Sequence, residues 1–267
     1  MVHALTPRSH PAGPLSGLGI LVTRPARQAG GFAMKIAALD GVPIIFPAIA
    51  ILPPVDPAPL KRAHLTLSTY DMAIFVSANA VEYGAPDSRQ WPDRLIPFAP
   101  GPGTAEALAA IGIAGTRIPM TKHDSEGLLA LDELSDVRGK RIVIFRGNGG
   151  REHLGESLSA RGALVDYVSC YRRTRPEAGS LGLAEAFRER RIHAVTVTST
   201  EGLDNLFALS DDATRAAWRA CPTFAPHWRI AARARELGLA VFETRAGDAG
   251  LLAGLLEWAT TTTARTS

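Results

Sequence analysis

The segments FVSANAVEYG at residues 75–84 and VTSTEGLDNL at residues 197–206 decide the fold, because each joins an apolar run to a helix-like stretch through a serine. An apolar run of a few residues followed by a helix is typical of a buried strand in a parallel sheet. The two segments therefore predict the same strand–serine–helix unit at two places in the chain.

Two further pairs of segments repeat at a similar distance. PFAPGPGTAEALAAIGI at residues 97–113 matches TFAPHWRIAARARELGL at 223–239, and SEGLLALDEL at 125–134 matches DAGLLAGLLEW at 248–258. The three pairs are offset by 122, 126 and 123 residues and occur in the same order. Self-similarity at one spacing indicates an internal duplication. The duplicated unit is strand–serine–helix, strand–loop–helix, strand–turn–helix.

Apolar runs and helix-like segments alternate between residues 17 and 258. Strict β/α alternation predicts parallel sheets with helices on both faces. The pattern contains about ten strands, which is more than one ordinary sheet holds. We therefore predict an α/β fold of two doubly wound, flavodoxin-like parallel-sheet domains.

The order of the segments predicts that one domain is discontinuous. A strand at residues 17–23 precedes the first copy of the repeat, and the runs PIIFPAIAIL at 43–52 and LVDYVSCY at 164–171 are extended. Because proline is excluded from central strands, the first run is an edge strand or a linker. We expect a domain of residues 15–45 with 173–260, an inserted domain of 53–165, paired β linkers at 46–52 and 166–172, and flexible termini at 1–14 and 261–267.

The composition is that of a packed globular protein. Hydrophobic residues make up 46% of the 267 residues and charged residues 21%, and the formal net charge is +3. These values exclude a disordered chain and disfavour a dedicated nucleic-acid binder. Arginine clusters at 172–175 and 188–191 indicate solvated surface. The charge balance still allows a positive cleft for an anionic small molecule.

The two cysteines, Cys170 and Cys221, lie far apart and have no zinc-ligand spacing around them. Two cysteines fit a reducing compartment. The first 15 residues lack the apolar segment of a signal peptide, and no apolar stretch approaches the roughly 20 residues of a membrane helix. We expect a cytoplasmic protein with no metal and no membrane partner.

Ligands of open α/β sheets bind at the carboxyl ends of the strands, and two such domains on a hinge predict a cleft that these ends face. The candidate substrate contacts are the residues that follow predicted strands: Thr23, Arg24, Ser77, Asn79, Gly103, Thr104, Arg146, Gly147, Arg151, Ser199, Thr200, His227 and Arg229.

Two glycine-containing loops each allow two interpretations. GPGT at residues 101–104 is either an anion cradle at a helix start or a simple turn with Thr104 as N-cap. Glu106 stands where a dinucleotide-binding loop needs a small residue. FRGNGGRE at 145–152 is either an anion-binding loop or a turn, and it lacks the Lys-Ser/Thr of a P-loop.

Four side chains allow a structural and a functional interpretation. Ser77 and Ser199 predict helix caps, and each hydroxyl can also bind a ligand. Neither serine has the flanking glycines of a nucleophile elbow. His227 is either an acid–base group or a surface residue, and Tyr171 is either a packing residue or part of a site.

Taken together, the motifs resemble the uroporphyrinogen-III synthase family. The resemblance spans residues 17–258 and rests on the order and spacing of ILVTRPARQA at 20–29, FVSANAV at 75–81, GPGTAEAL at 101–108, SEGLLAL at 125–131, GKRIVIFRGNGGRE at 139–152, CYRR at 170–173 and TSTEGLDNL at 198–206. The resemblance implies two α/β domains joined by a two-stranded ladder. It also implies a monomer that needs neither metal nor organic cofactor.

The resemblance implies a lyase that acts on hydroxymethylbilane, a linear tetrapyrrole with eight carboxylates. Such an enzyme removes the terminal hydroxyl as water, closes the macrocycle and inverts the last pyrrole ring. The family pattern gives the acid role to the tyrosine of the CYRR segment, Tyr171, and substrate contacts to Ser77, Thr104 and Ser199. His227 and Trp228 depart from the commoner loop sequence of the second copy, so contacts from that loop are open.

Two other classes of protein share parts of this pattern. A hinge-closing small-molecule binding protein without catalysis explains the repeat and the cleft equally well, but such proteins are normally exported. A sugar- or nucleotide-transforming enzyme would need a phosphate-binding motif, which the glycine-containing loops lack.

Overall fold

A computed structural model describes residues 13–150, 152–176 and 181–263. Within these residues, ten strands form two five-stranded sheets. The strands are β1 Gly19–Val22, β2 Val42–Ile45, β3 Ala50–Leu52, β4 Met72–Phe75, β5 Ile96–Phe98, β6 Arg141–Gly147, β7 Leu164–Thr174, β8 Ala194–Thr196, β9 Pro222–Ala225 and β10 Ala240–Glu243.

Eleven α-helices connect or follow the strands in the described part of the chain. They are α1 Ala26–Ala37, α2 Ala58–Leu65, α3 Ala78–Gly84, α4 Pro102–Ala110, α5 Ser125–Leu129, α6 His153–Ala160, α7 Leu181–Arg188, α8 Thr200–Leu209, α9 Asp212–Arg219, α10 Trp228–Glu236 and α11 Gly247–Thr263. None of these helices combines the length and apolar character needed to cross a lipid bilayer.

The first sheet has the strand order β10-β9-β8-β1-β2, and its four strand pairs are parallel. This is the flavodoxin-like order, in which the first strand of the chain lies inside the sheet. The predicted fold class is therefore confirmed for this unit.

The second sheet has the order β3-β7-β6-β4-β5, and the pairs β4–β5, β4–β6 and β6–β7 are parallel. Arg117 adds a single parallel bridge to Phe98 of β5. The repeat pairs β4 with β8 and β5 with β9. With that pairing, β7-β6-β4-β5 and β2-β1-β8-β9 occupy the same positions in their sheets, as a duplication requires.

Both faces of each sheet are covered by helices. Successive strand residues point to opposite sides, so each strand contributes side chains to both faces. In the first sheet, Ile20 packs with Phe32 of α1 and Leu255 of α11, whereas Leu21 packs with Leu203 of α8 on the other face. The second sheet has the same two-sided arrangement, with separate clusters around β6. Near-continuous apolar runs are what strands buried on both faces require.

The structure corrects three details of the predicted elements. The alternation of apolar runs and helix-like segments predicts a strand at residues 116–119 and no helix at 58–65 or 212–219. The structure has only the single bridge at Arg117, and it adds helices α2 and α9. The N-cap of α4 is Gly101 rather than Thr104, which lies inside the first helical turn. Thr104 cannot cap because the helix already begins at Pro102, whose fixed φ suits the first helical position.

The described chain divides into two compact units, which separate after Ala50 and after Thr174. The first division lies inside the linker predicted at 46–52. The second lies beyond the linker predicted at 166–172, because β7 continues as a strand of the second sheet up to Thr174. β3 lies at the edge of this sheet beside β7.

Candidate functional site

Tyr171 lies where β7 passes the carboxyl end of β6. The ring is almost fully buried, with 3% of its surface exposed, and its hydroxyl lies 3.2 Å from Ser77 Oγ. Ser77 follows β4, the strand on the other side of β6. The carboxyl ends of adjacent parallel strands therefore bring together two residues that are 94 positions apart in the chain.

Ser77 is the N-cap of α3, as its sequence context predicts. Its Oγ accepts a hydrogen bond of 3.1 Å from the backbone N–H of Ala80. A hydroxyl has one donor hydrogen and two acceptor sites, so the same group can cap the helix and still bond to Tyr171. Asn79 lies at the second position of the same helix.

The backbone at Gly147 and Asn148 lies directly against Tyr171. Asn148 N–H donates to the carbonyl of Tyr171 at 2.8 Å, and Asn148 Oδ1 accepts from the N–H of Arg173 at 2.8 Å. Asn148 is part of the quoted RGN segment but was not among the predicted site residues. The segment itself was visible in the sequence, but its contact with Tyr171 depends on tertiary structure.

Arg146 is held on the other face of β6. Its guanidinium lies 4.5 Å from the centre of the Tyr167 ring, and its side chain is 13% exposed. Its Nη2 is 4.0 Å from Glu152, while Nη1 is buried and has no hydrogen-bond partner within the described residues. Tyr167, which was not predicted, fixes the start of α6 by accepting from Gly155 N–H at 3.0 Å.

Arg151, the other predicted arginine of this loop, lies outside the described residues. The first turn of α4, which follows β5, contains Gly103, which is exposed, and Thr104, which is buried. A Cβ on Gly101 would come within 2.9 Å of the His123 Cβ, so His123 packs against this helix start. Sequence patterns gave no signal for His123, because the contact joins two separate loops.

The equivalent positions of the first unit hold Thr23, Arg24, Ser199 and Thr200. Ser199 caps α8, as predicted, by accepting from Gly202 N–H at 3.0 Å. Thr200 is the first residue of that helix. Thr23 is 4% exposed, and its hydroxyl donates to the carbonyl of Thr196 at 2.8 Å. Thr23 therefore already holds β1 against β8.

Arg24 lies two residues after the end of β1, at the position that corresponds to Arg146 near the end of β6, but it has a carboxylate partner. Its Nη1 lies 2.5 Å from Asp248, and its guanidinium lies 4.8 Å from the centre of the Phe32 ring. Burial would raise the pKa of Asp248, but hydrogen bonds from Lys35 and Arg24 outweigh it and hold that pKa below its ordinary value. Arg24 is thus paired with a carboxylate of its own unit.

His227 is the N-cap of α10, and its Nδ1 accepts from the N–H of Arg229 at 3.2 Å. The imidazole also stacks on Trp228, with 5.9 Å between ring centroids. Both His227 and Arg229 are exposed at the carboxyl end of β9. The structure gives His227 a capping role that the sequence did not predict.

The two thiols are unsuited to nucleophilic chemistry. Burial raises the pKa of both Cys170 and Cys221 to about 12, so both stay protonated at neutral pH. Cys170 instead packs beside Tyr171 and contacts the carbonyl of Arg146 at 3.3 Å. In the part of the chain that the structure describes, no three His, Cys, Asp or Glu side chains are grouped as metal ligands would be.

Comparison with known proteins gives one consistent family. A family model described as uroporphyrinogen-III synthase HemD matches residues 31–253. Uroporphyrinogen-III synthase of Salmonella typhimurium is 35% identical over 226 residues, which cover 83% of this chain and 92% of that protein. The enzyme of Escherichia coli is 34% identical with the same coverage.

Solved structures of distant relatives share the fold. A mutant uroporphyrinogen III synthase from Thermus thermophilus superposes with a TM-score of 0.54 at 20% identity, covering 92% of this chain and 99% of that one. Uroporphyrinogen-III synthetase from Helicobacter pylori gives a TM-score of 0.53 at 13% identity with the same coverage.

Proposed function

We propose a function for this chain from its membership of the uroporphyrinogen-III synthase family, to which it belongs. The protein is a lyase that cyclises hydroxymethylbilane to uroporphyrinogen III with inversion of ring D. The reaction serves the biosynthesis of haem and related tetrapyrroles. The observation that supports this proposal best is the Tyr171 hydroxyl, held 3.2 Å from Ser77 at the carboxyl ends of β4 and β6.

The reaction itself explains why one weak acid is enough. Loss of the terminal hydroxyl leaves an azafulvene, a cation-like electrophile that the pyrrole nitrogen stabilises. The bilane also cyclises without help, to the isomer in which ring D is not inverted. The protein must therefore mainly hold the chain in a shape that favours inversion, and an acid near the departing hydroxyl assists its loss.

Tyr171 supplies that acid in our proposal. A phenol is protonated at neutral pH and has one O–H to donate. Ser77 Oγ can donate its own hydrogen to the phenolic oxygen, which turns the phenol hydrogen toward the substrate. The proton passes from Tyr171 to the leaving hydroxyl, which departs as water, and ring closure later releases a proton that restores the phenol.

Arg146 is the residue we propose for binding a substrate carboxylate. A charge-assisted bond to a carboxylate would satisfy the buried Nη1, whereas Arg24 is already paired with Asp248. The other predicted substrate contacts remain predictions: Thr23, Asn79, Gly103, Thr104, Gly147, Arg151, Ser199, Thr200, His227 and Arg229. The linkers at 46–52 and 166–172 remain a predicted hinge.

Replacing Arg146 with Gln is expected to raise KM about tenfold with little change in kcat, because one charge-assisted hydrogen bond to the substrate is lost. Steady-state kinetics with hydroxymethylbilane measure both constants. Arg141→Gln is the matched control, since Arg141 lies on the same strand and also stacks on a tyrosine, Tyr70, at 4.9 Å. Arg141 lies at the opposite end of β6. Equal KM values for both variants would contradict the role of Arg146.

We propose that turnover requires no metal or nucleotide, since the pyrrole nitrogen supplies the electronic stabilisation. Dialysis against a chelator is expected to leave the rate of bilane consumption unchanged. Loss of activity that one added metal ion restores would refute this prediction.

We also propose, from the family resemblance, that the protein is a cytoplasmic monomer that binds neither membrane nor nucleic acid.

A small-molecule binding protein without catalysis would differ from an enzyme in the rate of bilane loss. An enzyme consumes many equivalents of hydroxymethylbilane faster than the protein-free reaction, whereas a binding protein at most sequesters one equivalent. Following bilane loss at substoichiometric protein distinguishes the two.

A further inference from the structure

We infer that Gly147 and Asn148 are positioning residues that set the place of the Tyr171 phenol and affect the reaction through it. This inference rests on the proposed acid role of Tyr171. It goes beyond that role by assigning to Gly147 and Asn148, the two residues after Arg146, the positioning of the tyrosine.

The first supporting feature is an irregularity between β6 and β7. The two strands keep a regular parallel register up to the pair Arg146–Ser169, and the next pair is Gly147–Tyr171. Cys170 is the extra residue. A bulge of this kind turns the side chains that follow it, and bulges are frequent beside active sites. Here it places Tyr171, instead of Cys170, opposite Gly147.

The second feature is the absence of a side chain at Gly147. A Cβ there would lie 2.7 Å from both Cε2 and Cζ of Tyr171 and 3.1 Å from its hydroxyl oxygen. Carbon atoms in contact are normally about 3.5–4.0 Å apart. The phenol therefore lies across the bare backbone of residue 147, and any larger residue would push the ring away.

The third feature is the clasp formed by Asn148. Its N–H bonds the carbonyl of Tyr171, and its Oδ1 accepts from the N–H of Arg173, both at 2.8 Å. These two bonds fix the backbone on the carboxyl side of Tyr171. The backbone of Gly147 packs against one side of the Tyr171 ring, and Ser77 Oγ lies 3.2 Å from the Tyr171 hydroxyl. The phenol is thus restrained at its backbone, its ring and its oxygen.

Substitutions at Asn148 test the clasp. Asn148→Ala removes the bond to Arg173 but keeps the backbone bond to Tyr171, and it is expected to lower kcat about tenfold because catalysis is sensitive to small displacements of the acid. Asn148→Asp keeps the acceptor oxygen and is expected to restore kcat to within about twofold, even if its charge raises KM. Ser135→Ala is the control, since it removes an exposed side-chain-to-backbone bond before β6 and should leave kcat unchanged.

A double-mutant cycle separates positioning from general structural damage. Once Tyr171→Phe has removed the phenol hydroxyl, adding Asn148→Ala should lower kcat no further. Gly147→Ala should behave in the same way, with a loss in the wild-type background that disappears in Tyr171→Phe. Far-UV circular dichroism and thermal unfolding check that each variant is folded.

Three outcomes would overturn the inference: wild-type kcat for Asn148→Ala, equal losses for Asn148→Ala and Asn148→Asp, or losses that add fully to that of Tyr171→Phe. The proposed acid role fails separately. If Tyr171→Phe alone keeps wild-type kcat, the acid role itself is wrong. If Tyr171→Phe is impaired and Asn148→Ala is not, only the positioning role is wrong.

Discussion

Tyr171→Phe is expected to lower kcat about 100-fold, the low end of the range for a general acid, because the azafulvene forms partly without help. The substitution keeps the ring and its packing against Gly147 and removes only the hydroxyl that reaches Ser77. The fold should be unchanged. The residual product should still be mostly the inverted isomer, since the shape of the bound chain sets that outcome.

Tyr83→Phe is the matched control for this experiment. The Tyr83 ring lies 6.2 Å from that of Tyr171 in the same core, and its hydroxyl donates to the carbonyl of Ile51 at 3.0 Å. Both variants lose one partly buried hydroxyl contact, but only one loses the proposed acid. Equal kcat values for the two variants, both folded, would leave Tyr171 as a packing residue.

Trp218→Ala is expected to destabilise the first unit by about 3–5 kcal/mol, the usual cost of truncating a large buried aromatic residue. Trp218 is fully buried in α9, and its Nε1 donates to Thr223 Oγ1 in β9 at 2.9 Å. The truncation opens a cavity and leaves the buried Thr223 hydroxyl without its donor.

Urea unfolding followed by circular dichroism measures this loss, and hydrogen exchange of β8 and β9 assigns it to the first unit. Trp228→Ala is the control, since Trp228 is 62% exposed and should change stability by less than about 0.5 kcal/mol. A loss below about 1 kcal/mol for Trp218→Ala would contradict the packing described for α9.

The fold could be predicted from the sequence because the patterns that indicate it are local and occur twice in the chain. The apolar run of β6 places Ile144 and Phe145 on opposite faces, as a strand covered on both sides requires. The serines after β4 and β8 stand at helix starts, where a hydroxyl is the expected cap. Helix α9 was missed because its only large apolar residue is Trp218, which gives no helical period.

The candidate site was only partly predictable, because its main contacts join residues that are distant in the chain. Arg24 and Asp248 form an ion pair although they are 224 positions apart in the sequence, and no local sequence pattern predicts this pair. The register shift that sets Gly147 beside Tyr171 depends on how two whole strands pair. The sequence motifs thus pointed to the segments of the candidate site, while the contacts between its residues could be found only in the folded structure.

The proposed activity is tested most directly by the isomer composition of the product. Purified protein is incubated briefly with hydroxymethylbilane, the product is oxidised to porphyrin, and the two uroporphyrin isomers are separated by chromatography. We expect the inverted isomer, uroporphyrin III, to dominate from the earliest time points. Formation of uroporphyrin I alone, at the rate of the protein-free reaction, would contradict it.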